Sequence, residues 1–298
     1  MAFNKFKKLG RNLSLFILLI NGKIKNRFSR EPDAKYLGLE ETVTYILDHR
    51  VSIGRIGDGE MLIISGRSQY FQKRDSKLRK KLSKLKTTER FLLCLPILSL
   101  TDKEDSLFEE REIAFWGDNR RYFLYRYRKL ANKSGIVGEA FISRFYMPYR
   151  DKRKEEYVKL LKQIWNCQIV VFIEGYYSRL GVGNDLFANV ASIKRILCPP
   201  DNAFQKYDEI VDVIRKNVSK EALLILALGP TATALAYDLT VLGYWALDLG
   251  HIDIEYEWYK RGATQKASIP GKYCGETETD YPDFNTNDIY DQIIAIIR

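Results

Sequence analysis

Residues 223–250 read LLILALGPTATALAYDLTVLGYWALDLG, and their pattern is the clearest indication of the fold class in the sequence. Its two ends, 223–229 and 244–250, are apolar runs that are too short for helices and finish at a glycine, as buried strands do. Between them, 231–242 has the pattern of a helix. A strand, a helix and a second strand in this order predict two parallel strands of one sheet.

The same alternation continues through most of the chain. Buried strands are expected at 51–56, 90–98, 168–175 and 195–199, and helices at 38–49, 77–89, 106–130, 185–192 and 204–217, with one more directly after Asp58. We therefore expect an α/β protein with a Rossmann-like, doubly wound, mostly parallel sheet and helices on both faces. Because no linker rich in proline, glycine or serine divides the chain, residues 36–298 are expected to form a single domain after a basic arm at 1–35.

Composition narrows the classes of function. The 298 residues are 46% hydrophobic and 29% charged, which is ordinary for a globular protein. The net charge is +10, but the first 30 residues hold eight Lys or Arg and no acid, so the rest of the chain is near +2. This distribution argues against a nucleic-acid partner. Two histidines and four scattered cysteines, without a CxxC pair, argue against a zinc site and a thiol centre.

Acidic residues follow one predicted strand in the stretch IGRIGDGE, residues 53–60. Asp58 and Glu60 can turn toward one divalent cation, since Mg²⁺ and Mn²⁺ prefer oxygen ligands and share them with phosphates. The alternative is structural, with Asp58 as the N-cap of a helix and Glu60 in its first turn. An arginine can pair with a phosphate, and glycines let the backbone approach one. The candidate phosphate ligands of this loop are Arg55, Gly57 and Gly59.

A glycine loop follows the strand predicted at 168–175. It reads SRLGVGNDLF at 178–187 and leads into the helix expected at 185–192, an arrangement that binds anions. It is not a dinucleotide fingerprint, because Leu186 replaces the third glycine, and it lacks the Gly-Lys-Ser/Thr of a Walker A loop. The candidate phosphate ligands here are Arg179, Gly181, Gly183, Asn184 and Asp185.

The third strand end belongs to the strand predicted at 223–229. Gly229, Pro230 and Thr231 open the following helix, and Thr231 is the expected N-cap. The free amides of that helix face the same edge of the sheet as the two loops above. These three residues are therefore further candidates for a phosphate site.

A second acid pair follows the strand predicted at 244–250, in the stretch HIDIEYEW. In an extended segment, Asp253 and Glu255 share a face and could also bind a metal; at a helix start they would be a cap and a first-turn acid. His251 lies beside them. A sheet of this class gathers all four strand ends in one crevice.

The sum of these features predicts a ligand with phosphates and a metal. It favours metal-assisted transfer of a group from a nucleotide, with a carboxylate as base. Two alternatives stay open. One is a non-catalytic, membrane-associated module that binds a nucleotide, and the other is an NAD-dependent oxidoreductase, which should carry a complete glycine fingerprint.

Four blocks of the sequence carry a family resemblance. They are SIGRIGDGE (52–60), SRLGVGNDLF (178–187), LGPTATALAYDL (228–239) and GYWALDLGHIDIEYEW (243–258). In this order they resemble the GT-D family of bacterial glycosyltransferases, and the resemblance covers about residues 40–275. It implies a Rossmann-type fold of GT-D strand arrangement, a UDP-sugar donor, typically UDP-glucose, and Mn²⁺ or Mg²⁺ on an Asp-x-Glu motif. It also implies a glycan acceptor on bacterial surface glycoproteins or polysaccharides.

The resemblance places the metal on Asp58 and Glu60, which match its Asp-x-Glu motif. Asp253 and Glu255 form a second such pair, so the two assignments could be exchanged. We favour Asp58 and Glu60 for the metal. Asp253 or Glu255, with His251 beside them, is then expected to take the proton from the acceptor hydroxyl.

The basic arm is expected to touch a membrane from the cytoplasmic side. Apolar residues recur at helical spacing between lysines in 1–30, but the apolar run 13–20 is far shorter than the roughly 20 residues of a bilayer span. The alternative is a terminal helix docked on the fold. We predict that the full chain co-sediments with anionic liposomes at low salt, and failure to do so would contradict the membrane contact.

Overall fold

The structure, a computed structural model, describes residue 20 and residues 22–277, 281 and 286–298. Its strands are β1 (Lys35–Tyr36), β2 (Ser52–Arg55), β3 (Phe91–Leu95), β4 (Ile136–Glu139), β5 (Ile169–Gly175), β6 (Ser192–Cys198), β7 (Leu223–Ala227), β8 (Trp245–Asp248) and β9 (Ile293–Ile296). Its main helices are α1 (Leu39–His49), α2 (Asp58–Ile64), α3 (Ser76–Lys84), α4 (Glu110–Ser134), α5 (Glu155–Lys162), α6 (Tyr207–Asn217), α7 (Pro230–Val241) and α8 (Ile252–Lys260). Short 3-10 helices lie at Ile97–Ser99, Asp105–Leu107, Ala140–Ser143, Ala203–Lys206 and Tyr290–Gln292.

The strands form one sheet in the order β1-β4-β3-β2-β8-β7-β5-β6-β9, and all neighbours are parallel. The chain that leaves β2 runs to β3 on one side, whereas the chain that leaves β8 returns to β9 at the opposite edge. The β2–β8 junction is therefore a topological switch point, where a crevice opens at the carboxyl ends of the strands. This junction positions the candidate site.

Close packing of α7 on the sheet explains the small residues in this part of the sequence. Every residue of β7 is buried, as expected for a parallel strand that is covered on both faces. At Gly54 of β2, an added Cβ would lie 2.7 Å from the Phe91 ring and 3.2 Å from the Thr233 carbonyl oxygen of α7. A side chain at this position would push α7 away from the sheet.

Helices cover both faces of the sheet. Gly54 faces α7, whereas a Cβ at Gly138 of β4 would lie 3.0 Å from Thr42 of α1. Arg55 is in register with Cys94, and Cys94 is in register with Gly138, so these three residues point to one face. The neighbouring Gly54 points to the other face. The predicted doubly wound α/β fold is therefore confirmed, with a sheet that is entirely parallel.

The interior also contains a buried ion pair. The side chains of Arg195 in β6 and Glu174 in β5 are 2% and 0% exposed. Arg195 donates further hydrogen bonds to the Leu180 carbonyl oxygen at 2.8 Å and to Gln292 at 2.7 Å. These bonds tie the two strands to the loop after β5 and to the segment that precedes β9.

Most predicted elements match observed ones. The six predicted strands correspond to β2, β3, β5, β6, β7 and β8, and the helices expected at 38–49, after Asp58, and at 77–89, 106–130, 204–217 and 231–242 correspond to α1, α2, α3, α4, α6 and α7. The strands β1, β4 and β9 are not evident in the sequence. The division into an arm at 1–35 and a domain at 36–298 stays a prediction.

The helix predicted at 185–192 is wrong. Residues 181–191 form turns and bends, and Ser192 begins β6. The Asn184 side-chain oxygen accepts the backbone N–H of Leu186 at 3.0 Å. The Trp165 indole N–H donates to the Leu186 carbonyl oxygen, also at 3.0 Å. Phe187 packs on Trp165 with ring centroids 4.7 Å apart. Local polar groups thus compete with helical hydrogen bonds, and the apolar side chains are buried without a helix.

The basic arm lies largely outside the described residues. Its described end, residues 22–27, is helical, and Asn26 donates to the Arg120 carbonyl oxygen of α4 at 3.0 Å. This end is therefore docked on the fold, while the membrane contact stays a prediction. No helix in the described part of the chain is both long and apolar enough to cross a bilayer.

Glu139, at the end of β4, is a buried carboxyl group near the crevice. It is 3% exposed and accepts backbone N–H bonds from Phe141 at 3.0 Å and Ile97 at 3.2 Å. Burial raises the pKa of Glu139 to about 8, although the two amides act in the opposite direction. The folded protein therefore keeps a proton that the unfolded chain releases near its ordinary pKa of about 4.3.

Because the folded-state pKa is the higher one, the stability that Glu139 contributes is complete at acidic pH and is lost as the pH rises toward about 8. We predict that the free energy of unfolding of the wild type, relative to Glu139→Gln, falls by about 2 kcal/mol between about pH 5.5 and pH 7.5. Urea unfolding at several pH values measures this difference. The control is Glu156→Gln, because the Glu156 side chain is 86% exposed. The prediction would be contradicted if the free energies of unfolding of the wild type and of Glu139→Gln changed in parallel with pH.

Candidate active site

The first acid pair stands where β2 ends and α2 begins. Gly57 is the N-cap of α2, so Asp58 is the first residue of the helix and Glu60 the third. Glu60 Oε2 accepts the Gly57 backbone N–H at 2.8 Å, and the Tyr127 hydroxyl donates to the Gly57 carbonyl oxygen at 3.2 Å. The alternative of Asp58 as N-cap is therefore wrong, whereas Glu60 does lie in the first turn.

Carboxylate oxygens of this pair are open to a ligand. Asp58 is exposed, and within the described ranges neither its carboxylate nor Glu60 Oε1 accepts a hydrogen bond. Glu60 reaches back to the N-cap, so both carboxylates lie at the N-terminal end of α2. Burial, the nearby Asp248 and, more weakly, Asp58 raise the pKa of Glu60 to about 7. A cation between the two carboxylates would offset their repulsion.

Arg55 crosses the β2–β8 junction and bonds to Asp248. Its Nη2 atom lies 2.8 Å from Asp248 Oδ1, and its Nε donates to the Asp248 carbonyl oxygen at 2.7 Å. Its Nη1 donates to Ser143 Oγ at 2.6 Å. Asp248 Oδ2 in turn accepts the Thr233 hydroxyl at 2.8 Å. Much of the guanidinium that the sequence offers to a phosphate is thus occupied, and Arg55 holds the crevice together.

The two carboxylates of the second acid pair bond to different parts of the chain. Asp253 and Glu255 lie on α8, not in an extended segment. Asp253 accepts from Lys272 at 2.6 Å and is 1% exposed. Glu255 accepts the Tyr146 backbone N–H at 2.9 Å. The helix sends the two carboxylates to separate partners, which argues against the exchanged metal assignment, and that assignment stays a prediction.

Glu255 differs from Asp253 in one respect. Burial raises the pKa of both carboxyl groups, and that of Glu255 reaches about 7. The Oε2 atom of Glu255 is buried and has no hydrogen-bond partner in the described part of the chain. A buried oxygen without a hydrogen-bond partner is unfavourable. Glu255 can therefore still accept a proton or a hydrogen bond at this atom.

The glycine loop is turned toward α8 rather than toward a free anion. Gly181 donates its backbone N–H to Asp253 Oδ1 at 3.0 Å, and the Asn184 side chain donates to the same oxygen at 2.8 Å. Asp185 accepts the Tyr256 hydroxyl at 2.9 Å. These groups are occupied and no helix follows at 185–192, so the helix N-terminus expected here is wrong, while the phosphate-binding role of the loop stays a prediction. Gly181 and Gly183 have φ values of 73° and 80°, which explains the glycines by turn geometry.

Arg179 is likewise engaged within the fold. It adopts φ 50° and donates to the Gly271 carbonyl oxygen at 3.0 Å, and it pairs with Asp288. It therefore fastens the glycine loop to the segment that follows α8. Its expected role toward a phosphate stays a prediction.

The start of α7 is covered by the loop after α2. Gly229, with φ 52°, is the N-cap and Pro230 the first helical residue, so the prediction of Thr231 as N-cap is wrong. The Thr231 hydroxyl donates to Gln72 at 3.3 Å, and a Cβ at Gly229 would lie 3.9 Å from Phe71. These contacts leave less room for a phosphate at this helix start than the sequence indicates.

A cationic group near the crevice escapes the sequence analysis. Arg144 pairs with Glu276, and Lys266 Nζ lies 2.5 Å from Glu276 Oε2. His251, the N-cap of α8, lies with Nε2 at 3.4 Å from Glu276 Oε1. Burial and the neighbouring Arg144 lower the pKa of His251 to about 3, so its ring is neutral at neutral pH. The sequence does contain an indication of Arg144, because an arginine follows soon after a strand end. That strand, β4 with the sequence IVGE, is itself not evident in the sequence.

The donor atoms present suit one kind of metal site. Within the residues that the structure describes, no three His, Cys, Asp or Glu side chains come together around a common point. A closed protein cage is therefore absent from that part, as is a zinc-like ligand set. Asp58 and Glu60 supply two hard oxygen ligands, which suit a Mg²⁺ or Mn²⁺ ion that completes its shell with substrate phosphates and water.

Comparison with known proteins places the chain in a family. A profile of the family described as "Glycosyltransferase GT-D fold" matches residues 53–277. The chain belongs to this family. The match begins within β2 and ends beyond α8, so it includes both acid pairs and the junction between β2 and β8.

Two curated relatives are streptococcal. The chain is 36% identical to "Probable glycosyl transferase Gly" of Streptococcus gordonii over 271 residues, which are 89% of this chain and 39% of that protein. It is 38% identical to "Glycosyltransferase GlyD" of Streptococcus pneumoniae serotype 4 over 267 residues, which are 87% of this chain and 32% of that protein. The chain thus spans about a third of the length of these relatives.

Solved structures agree with the family and the fold. One, described as showing that "the highly conserved domain of unknown function 1792 has a distinct glycosyltransferase fold", matches with a TM-score of 0.80 and 36% identity, covering 94% of this chain and 100% of that one. Another, "A New Glycosyltransferase (DUF1792) from Streptococcus sanguinis", matches with a TM-score of 0.81 and 36% identity over 89% of this chain and 100% of that one. The GT-D prediction is therefore confirmed at the level of family and fold.

Proposed function

We propose that this chain transfers a sugar, glucose from UDP-glucose in the first instance, to a hydroxyl group of a bacterial surface glycan or glycoprotein glycan. The observation that carries the proposal is the open carboxylate pair, Asp58 and Glu60, at the switch point between β2 and β8. Ligands of doubly wound sheets bind at such a point. Family membership supports the reaction class, and the UDP-sugar and acceptor rest on the family resemblance.

Asp58 and Glu60 would hold Mn²⁺ or Mg²⁺. When bound, such an ion supplies charge neutralisation for the diphosphate that leaves with the nucleotide. The protein's own contribution is to place both residues at the start of α2, where the Gly57 N–H holds the Glu60 carboxylate and Tyr127 bonds to the Gly57 carbonyl oxygen. Arg55 and Asp248 keep the neighbouring strand ends in place.

We assign the proton of the acceptor hydroxyl to Glu255 rather than to Asp253. Both are buried, but Asp253 is fully engaged by Lys272, Asn184 and Gly181. Glu255 keeps one oxygen without a partner in the described ranges, and its pKa of about 7 suits a base that works near neutral pH. We place His251, neutral at neutral pH, beside this group as a hydrogen-bonding residue.

The alternatives are less well supported. An NAD-dependent oxidoreductase needs a glycine-rich turn onto a helix, and the turn after β5 leads into no helix. A non-catalytic nucleotide-binding module would bind UDP without transferring or hydrolysing its sugar. The assays below separate that module from an enzyme. A cytoplasmic location and membrane contact through residues 1–30 stay predictions.

Asp58→Ala tests the metal assignment. The change removes one of two open ligands, so Mn²⁺-dependent release of UDP from UDP-glucose should fall on the order of 100-fold. Because Asp58 is exposed and makes no side-chain hydrogen bond among the described residues, the circular dichroism spectrum should be unchanged. Asp118→Ala, which removes another exposed carboxylate (68% exposed), is the control. Near-normal turnover of the Asp58→Ala variant would contradict the assignment of Asp58 as a metal ligand.

Glu255→Gln tests the proton acceptor. Glutamine keeps the shape and can still accept the Tyr146 amide, but it cannot take a proton. Turnover should fall by about 100-fold or more, while the affinity for UDP in the presence of Mn²⁺ stays unchanged. Kinetics at saturating UDP-glucose and calorimetric titration of UDP give the two readouts. Lost UDP affinity with unchanged turnover at saturation would instead assign Glu255 to donor binding.

A further inference from the structure

Glu276 occupies a pocket that suits an anion. Its carboxylate is paired with Arg144 and lies 2.5 Å from Lys266 Nζ and 3.4 Å from His251 Nε2. Burial opposes ionisation of Glu276, but the surrounding groups, Arg144 and Lys266 among them, hold its pKa well below its usual range. One carboxylate thus faces two cations and a neutral imidazole ring. The pocket is defined by Arg144, His251 and Lys266, and we call it the cation pocket.

The cation pocket borders the switch point. Ser143, directly before Arg144, accepts a hydrogen bond from Arg55 at 2.6 Å, so the chain that carries Arg144 is fixed to the end of β2. His251 follows β8 and caps α8. The charge of Asp58 is near enough to contribute to the raised pKa of Arg144, although the partner Glu276 contributes more and burial acts in the opposite direction. The pocket and the open carboxylate pair therefore face one crevice.

Arg144 has guanidinium N–H groups that no side chain or carbonyl among the described residues accepts, apart from its bond to Glu276. Arg55 is bonded to Asp248 and Ser143, and Arg179 is bonded to Gly271 and Asp288. The guanidinium of Arg144, by contrast, bonds to Glu276 and to no other residue in the described ranges. A guanidinium has five N–H donors in a fork that fits carboxylate and phosphate alike.

Two contacts of the segment after α8 differ in accessibility. The Lys272–Asp253 pair is 4% and 1% exposed, which is the burial of a fixed anchor. The Arg144–Glu276 pair is 29% and 26% exposed, and Lys266 is 32% exposed. Solvent, and hence a dissolved anion, can reach the second contact but not the first. Glu276 can therefore leave while Lys272 keeps the segment attached.

We propose that the cation pocket binds the diphosphate of the nucleotide-sugar donor, and that Glu276 fills the pocket until the donor displaces it. The inference rests on the proposed function for the identity of the donor. If Glu276 left without a replacement, Arg144 would lose its one hydrogen-bonded anion, which is unfavourable for a partly buried guanidinium. A diphosphate offers more charge and more acceptor oxygens than a carboxylate, so the exchange is favourable. Release of the product diphosphate lets Glu276 return.

The test is a titration of UDP and, separately, of inorganic pyrophosphate, each with Mn²⁺, into the wild type and Glu276→Gln. Removing the internal competitor should tighten both ligands about fivefold, the scale of a partly exposed ion pair. Glu109→Gln is the matched control, because Glu109 is 36% exposed and pairs with Lys152 at 3.0 Å. Its affinities should equal those of the wild type. Unchanged or weaker binding by Glu276→Gln would overturn the displacement.

Arg144→Met and Arg144→Lys test the pocket itself. Arg144→Met should weaken UDP and pyrophosphate roughly tenfold or more, and Arg144→Lys, which keeps the charge but not the fork, should lie between it and the wild type. Thermal unfolding of each variant shows that it is folded. Wild-type affinity in folded Arg144→Met would overturn the site. If the affinity for pyrophosphate changes among these variants as predicted and the affinity for UDP does not, the cation pocket is supported and UDP as the donor nucleotide is contradicted. If UDP-glucose is turned over but Glu276→Gln, Arg144→Met and Arg144→Lys all bind both ligands as the wild type does, the proposed function stands and the cation pocket is contradicted.

Discussion

The ion pair between Arg55 and Asp248 is the interaction on which the site depends, because it joins the two halves of the sheet. The β2–β8 ladder contains a single register pair, Ile53 with Leu247, so few backbone hydrogen bonds cross the junction. Side chains complete it: Arg55 bonds to Asp248 at 2.8 Å, and the Trp245 indole donates to the carbonyl oxygen of Val51, the residue before β2. The Arg55–Asp248 pair thus joins the ends of β2 and β8 beside the crevice. Because α2 follows β2 directly, the pair also positions the start of α2, which carries Asp58 and Glu60.

The sequence predicted the elements whose pattern is local. The strands β7 and β8 are short, continuous apolar runs bounded by glycine, and parallel strands that are covered on both faces have that composition. The segment 185–192 has an equally plausible helical pattern. It forms turns because Asn184 bonds to the following backbone and because Trp165 and Phe172 bury Phe187. Those partners are distant in sequence or depend on side-chain geometry, and propensity does not contain them.

The candidate site shows the same division between local patterns, which the sequence contains, and long-range partners, which it does not. The sequence identifies Asp58 and Glu60 as candidates, because an acid pair after a buried strand is a local signal. The buried partners of Asp253 were not, because Lys272 follows α8 in a stretch without regular pattern. Arg144 was missed for a related reason: β4 has four residues, and its Gly138 is required by contact with Thr42, so the strand carries little β-propensity. Residues that act through long-range packing are those that a single sequence leaves hidden.

We propose that the carboxylates at the β2–β8 junction bind a nucleotide through a divalent metal. Isothermal titration of UDP into the full wild-type chain, once with Mn²⁺ and once with EDTA, tests this proposal. Two acidic side chains repel a diphosphate unless a cation lies between them, so we expect binding with Mn²⁺ and none with EDTA. Equal affinity in both conditions, or no binding of UDP in either, would contradict the account.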